Sequence, residues 1–397
     1  MKKDRERNLT EWAQNCLLLV AALVVSFLLG EGILRLFYRD QVLLFPRYHA
    51  AAQYGDFTLR RLRPNTVFQH TSQDGSWTFT VNSQGFRNDR DFSFDKPNGR
   101  IRVISLGDSH TSGFEVRQQY TFSAVCERAL RAKGVDAEVL NAGVSGFSTA
   151  EELVFLENAA VRYHPDAVII GFFGNDFEDN IKSGIFRLEG DSLLVAKKVN
   201  IPGTRVLEAI NSLSLLRWLS ENSYFYSFVM NKAWDAARTF YLRENEKAMT
   251  TEYAIPLDVL SDYKKRLMMA IIKRMHTVAK TNGIKLVFID IPVPPTEEES
   301  QMRSNKDEPD LRFTSSVPPD MVNFFREHSD AFIDSNVAFA DFRNIAELHV
   351  PHGHRHISEF SHTVLGIQAC NAILGMSPKV VSGRRDESHG IVENRSN

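Results

Sequence analysis

At 397 residues with 43% hydrophobic content, the chain is long enough for one large domain or two modest ones. A net charge of −2 excludes a global electrostatic case for nucleic-acid binding. Three cysteines (Cys16, Cys126 and Cys370) make no disulfide framework, and no Cys/His spacing suggests a zinc site.

Residues 1–15 are polar, with Lys2, Lys3, Arg5 and Arg7, and read as a cytoplasmic tail. Cys16–Leu29 is apolar apart from Ser26, and Ile33–Tyr38 continues it after Gly30, Glu31 and Gly32. A bilayer span needs roughly 20 residues, so residues 16–38 are expected to form a single transmembrane helix. No small-residue A-x-A site follows the run, and no cysteine is placed for lipid attachment, which favours an uncleaved anchor over a cleaved signal peptide. Basic residues flank both ends, with Arg35, Arg39 and Arg47 after the run, so charge orients it only weakly. The expected arrangement puts the N-terminus in the cytoplasm and the main domain outside the inner membrane.

Residues 39–99 form a lead-in in which Trp77-Thr78-Phe79-Thr80-Val81 alternates like a half-buried strand and Asn82–Arg87 reads as a turn. Residues 100–376 then alternate strands with helices. Ile101–Leu106 is a buried strand, Phe122–Lys133 a helix stopped at Gly134, and Ala137–Leu140 a strand. Ala150–Tyr163 is a helix and Ala167–Phe173 a strong buried strand. The rhythm breaks at residues 177–257, a helical, aromatic insertion with a turn-rich start. It resumes with a helix over Leu260–Asn282 and a strand over Ile284–Val293. Pro294–Val317 reads as a mobile loop near the site, Pro319–Glu327 as a short helix, Val337–Phe342 as the last strand and Ser361–Leu374 as the closing helix. Residues 377–397 lack periodicity and read as a disordered tail. The order predicts an α/β fold, a three-layer α/β/α sandwich on a parallel sheet.

Three strands run directly into small-residue polar turns: Gly107-Asp108-Ser109, Asn141–Gly146 and Gly174-Asn175-Asp176. In a parallel sheet such turns converge on one edge. A serine hydroxyl, a glycine N–H and an asparagine amide gathered there suit acyl transfer through an oxyanion. The serine needs a base, and His352, His354, His356 and His362 lie just before the closing helix.

These four blocks, over about Ile101–Leu374, resemble the SGNH (GDSL-type) hydrolase family, and Asn82–Arg87 resembles a turn in its membrane-anchored bacterial members. The resemblance implies a flavodoxin-like sheet, no metal or organic cofactor, and Ser109 as nucleophile. The Ser109 N–H, the Gly146 N–H and the Asn175 amide would form the oxyanion hole, with Asp108 and Asp176 in support. The spacing from His356 to His362 favours His356 as the base, with His354 as the alternative. The family places an aspartate three residues before this histidine. Here those positions hold Gly353 or Pro351, and no acid lies within Leu348–Arg355. Glu359, Asp341, Glu347 or a backbone carbonyl would have to hold the ring; otherwise the site works as a Ser–His dyad.

The expected function is a serine-dependent ester hydrolase acting on an acylated small molecule or envelope glycan. An O-acyltransferase using the same residues is the alternative. A weakened, binding or scaffold descendant is the reading the missing aspartate motivates.

Overall fold

The computed structural model describes residues 2–39, 42, 44, 48–251, 260–294, 313–342, 345–351 and 356–376. The expected tail at 377–397, the alternative base His354 and residues 295–312 of the expected loop lie outside the described residues.

The chain opens with α1 (Lys2–Phe37), in which Glu11–Phe37 is long and apolar enough to cross a membrane by length and composition, an 18-residue stretch within it averaging a hydropathy of 2.5. The lead-in is built from two hairpins: β1 (His49–Tyr54) with β2 (Phe57–Leu62), and β3 (Thr66–Ser72) with β4 (Gly75–Val81). In β3 and β4 the buried residues alternate, as a strand with one covered face requires. Phe68, Trp77, Phe79 and Val81 pack with Phe114, which fastens this region beside the site.

Next come β5 (Ile101–Gly107), α2 (Ser109–Ser112), α3 (Phe122–Ala132), β6 (Ala137–Asn141), α4 (Thr149–Asn158) and β7 (Ala167–Phe172). The stretch up to Thr251 holds α5 (Asp176–Ser183), the hairpin β8 (Phe186–Glu189) and β9 (Ser192–Val195), then β10 (Val199–Asn200). It continues with α6 (Thr204–Asn211), α7 (Ser214–Asn222) and α8 (Tyr224–Thr251). Strand β10 pairs in parallel with β2, tying this segment back to the lead-in. The domain closes with α9 (Leu260–Thr281), β11 (Lys285–Asp290), α10 (Val322–Glu327), β12 (Ala331–Ile333), α11 (Ser335–Ala338) and α12 (Glu359–Met376).

The central sheet has the order β12-β11-β7-β5-β6, all parallel, which in its own strand numbering is the flavodoxin-like 2-1-3-4-5. Alternate residues serve opposite faces. Ile104, Leu106, Val168, Ile170 and Phe288 pack under α4 and α9, whereas Val103, Ile169, Val287 and Ile289 pack under α3 and α12. Cys126 and Cys370 are buried in this second layer as apolar fillers.

One expected element is corrected. Val337–Phe342 is not the last strand: Asp334 accepts from the Asn336 N–H at 3.0 Å and starts the helical turn α11. The edge strand is the shorter β12 just before it, paired to β11.

Candidate active site

Strand β5 delivers the chain to the sheet edge through Gly107, whose φ is +151°. A Cβ there would lie 2.0 Å from Thr111 Oγ1, so only glycine fits. Asp108 caps α2 by accepting from the His110 N–H at 2.8 Å, and burial pushes its carboxyl up to about 6. The cap and the half-buried Ser109 hydroxyl are therefore compatible: the acid turns the chain and leaves the serine facing the cavity.

Ser109 Oγ lies 2.9 Å from Nε2 of His356. The histidine sits just before an antiparallel bridge, with the Val350 N–H bonded to its carbonyl at 2.9 Å and His349 paired to Ile357. Its Nδ1 lies 3.0 Å from Oε2 of Glu115. A proton on Nδ1 shared with a carboxylate leaves the Nε2 lone pair for the serine hydroxyl. Burial would raise the Glu115 carboxyl, but hydrogen bonds from His356 and His70 outweigh it and hold the group below the usual range. His70 Nε2 stands 3.8 Å from Glu115 Oε1.

Glu115 adopts φ +62°, a left-handed conformation costing a non-glycine residue on the order of 1–2 kcal/mol. Its loop is held by Arg87 of the Asn82–Arg87 turn. The buried guanidinium donates to the carbonyls of Ser112 and Val116, each at 2.7 Å, and of Gly113, and stacks 3.6 Å over Phe79. The lead-in thus positions the carboxylate.

The other two turns meet the same edge. Gly143 approaches so closely that a Cβ would sit 2.3 Å from the Ser112 nitrogen. Asn141 braces the contact from Nδ2 to the Thr111 carbonyl at 2.9 Å. Gly146, with φ +71°, has its carbonyl held by Arg60. Asn175 donates an amide hydrogen to Asp179 Oδ2 at 2.9 Å, and the same amide also stands close enough to the Asp108 carboxylate to favour its charged form. Asp176 Oδ2 accepts from the Phe173 N–H at 3.2 Å and so shapes the third turn. Ser109, Gly146, Asn175 and His356 all line one cavity of about 630 Å³, whose far wall includes Val206, Met230 and Trp234.

The expected candidates Ser109, Gly146, Asn175, His356, Asp108 and Asp176 are therefore brought together at one sheet edge, and His354 lies outside the described residues. His362 lies elsewhere: its Nδ1 accepts from the Phe122 N–H at 3.0 Å at the start of α3. The acids expected near the histidine do other things. Glu359 holds Arg117 Nε at 2.8 Å, and Asp341 and Glu347 are exposed. The carboxylate at the imidazole is Glu115, which the sequence reading did not single out. A lone acid between Phe114 and Val116, both buried, directly after the serine turn was the available signal.

The model of the GDSL-like lipase/acylhydrolase family matches residues 105–308. No curated protein matches the sequence. Among solved structures, a catalytic mutant of an acetylxylan esterase from Geobacillus stearothermophilus aligns at 13% identity, covering 69% of this chain and 94% of its own, with a TM-score of 0.36. A lipase/acylhydrolase from Enterococcus faecalis aligns at 14% identity over 69% of this chain and 96% of its own, with a TM-score of 0.34.

Proposed function

The chain belongs to the GDSL-like lipase/acylhydrolase family, and from that premise we propose that it is a membrane-anchored esterase that removes acyl groups from a glycan through an acyl-enzyme on Ser109. The observation that carries this reading is the unbroken relay from Ser109 Oγ to His356 at 2.9 Å and from His356 to Glu115 at 3.0 Å, open to a cavity.

In the proposed reaction, Ser109 Oγ attacks the ester carbonyl as its proton passes to His356 Nε2. Glu115 holds the imidazolium that forms. The negative charge on the former carbonyl oxygen falls to the Ser109 N–H, the Gly146 N–H and the side-chain amide of Asn175. Collapse breaks the ester bond, and His356 returns its proton to the leaving alcohol. Water then repeats the sequence and frees the acid.

A glycan is favoured over a simple acid ester by the cavity. Its volume of about 630 Å³ exceeds what an acetyl group needs, and Arg60, Asn200 and Trp234 offer donors and an aromatic face for sugar hydroxyls and rings. Helix α1 would hold the domain at the outer face of the inner membrane, where envelope glycans are within reach. The reading of a non-catalytic descendant loses its motive, because a carboxylate does reach His356.

The test uses the full chain in detergent. A fluorophosphonate probe should label the wild type and not Ser109→Ala, and release of acetate from acetylated oligosaccharides should vanish in the variant. Equal hydrolysis by both proteins would overturn the proposal. Acetyl groups appearing on an added sugar acceptor instead of as acetate would move the assignment to a transferase.

A further inference from the structure

The exit end of α1 is built into the folded domain. Phe27 meets Phe225 edge-on, with ring centroids 5.4 Å apart. Gly30 makes room for that ring: a Cβ there would lie 2.7 Å from it. Glu31 caps α8 by accepting from Ser223 Oγ at 2.7 Å and from the N–H groups of Tyr224 and Phe225 at 3.1 and 2.9 Å. Arg35 donates to the Asn222 carbonyl at 2.5 Å. The corner between α7 and α8 is therefore fixed against the stretch Phe27–Arg35.

That stretch has a definite depth if α1 spans the bilayer. A hydrocarbon core of about 30 Å takes roughly 20 helical residues. Counted from Trp12, the core ends near Glu31. The α7–α8 corner then lies at the boundary between acyl chains and headgroups. The same region carries large apolar side chains that the described residues leave open: Val206, Leu213, Leu215, Trp218 and Phe228 are between 40% and 67% exposed. Leu215 and Trp218 share one face of α7. Exposed Arg205 and Arg217 stand among them. Tryptophan, aliphatic side chains and arginine together are the composition of a surface lying in the interface plane.

We propose that α6, α7 and the start of α8 form a seat on the phospholipid surface, holding the domain down against the bilayer instead of letting it swing on α1. The inference rests on the reading of α1 as a membrane anchor. Its occupant is lipid, because α1 brings the patch to the bilayer boundary and fixes it there through Glu31 and Arg35. Helices α6 and α8 also wall the cavity through Leu207, Met230 and Trp234. The seat therefore brings the cavity wall to the membrane, where an ester carried at the lipid surface is met first.

The full chain is reconstituted into nanodiscs of phosphatidylcholine and phosphatidylglycerol, with or without a lipid carrying a doxyl quencher near the headgroup. The fluorescence lost in Trp218→Phe isolates Trp218, and that lost in Trp12→Phe isolates a residue of α1. The expected result is at least twofold quenching of the Trp218 component by the doxyl lipid. Quenching of Trp12 with an unquenched Trp218 would overturn the seat and leave the anchor standing. If both stay unquenched and alkaline carbonate strips the chain from membranes, the anchor reading fails and takes the proposal with it.

Discussion

Glu115 is separated from His356 by 241 positions along the chain and by 3.0 Å in space. Its carboxylate does two things for the imidazole: it fixes the proton on Nδ1, and it offsets the positive charge the ring gains when the serine loses its proton. Glu115→Gln keeps the shape and removes the charge, and the amide can also turn its NH₂ toward the ring and enforce the wrong tautomer. The turnover rate should fall on the order of 10³-fold, with the fold intact by circular dichroism. Glu115→Asp, one methylene shorter, should retain an intermediate rate. A Glu115→Gln enzyme with wild-type kcat would remove Glu115 from the relay.

Arg87 sets where that carboxylate stands. Its guanidinium reaches the carbonyls of Ser112, Gly113 and Val116 together, which a planar fork can do and a single ammonium cannot. In Arg87→Met the apolar volume stays and the carbonyls lose their donors. With buried hydrogen bonds to a charged group worth about 1.5–3 kcal/mol each, a loss of several kcal/mol is expected. Arg87→Lys should recover part of the melting temperature but little of kcat. An Arg87→Lys variant that restores both would show that any cation suffices there.

The strand-to-turn junctions were legible because parallel strands put their carboxyl ends on one edge, so a repeated local pattern carries three-dimensional information. Gly107 and Asn141 each close a strand, and Gly174 stands two residues after the end of β7. Glu115 was not legible in this way. Its partner comes from the far end of the chain, and its φ of +62° belongs to no regular element whose period would mark it. The edge strand was misplaced for a different reason. Val337–Phe342 is as apolar as a strand, but Asp334 competes for the backbone with a capping bond, and that local bond prevails over propensity.

Acid should destabilise the fold through His362. Burial pushes this imidazole down to about 3, against an ordinary value of 6.5. Between those values the unfolded chain binds a proton that the folded chain refuses, so stability is full above about pH 6.5 and falls as pH drops toward 3. Burial lowers His70 and His110 in the same direction. His362→Asn keeps an acceptor for the Phe122 N–H and removes the titration. Urea midpoints measured at pH 7 and pH 5 should differ less in this variant than in the wild type. Equal differences would assign the acid sensitivity to other groups.

Glu152 should act with the opposite sign. It is buried on α4, neither carboxylate oxygen has a hydrogen-bond partner among the described residues, and burial together with the charges of Asp108 and Glu151 raises its carboxyl well above the ordinary value. Asp176 is raised likewise by burial and by Glu152 and Asp108. A group whose folded value is raised favours the fold below its unfolded value near 4.5, and that contribution disappears as pH rises through the folded value. Folding at pH 8 therefore takes place against the cost of keeping Glu152 protonated or of burying its charge. Glu152→Gln is isosteric and neutral, so it should raise the melting temperature at pH 8 by about 2–4 °C per kcal/mol recovered, and by clearly less at pH 5. Glu152 is not among the residues that line the cavity, so kcat at pH 8 should not change. A gain that is equal at both pH values would mean that packing, not charge, separates the two proteins, and a loss at pH 8 would mean that the ionised carboxylate is held by a partner worth more than its burial costs.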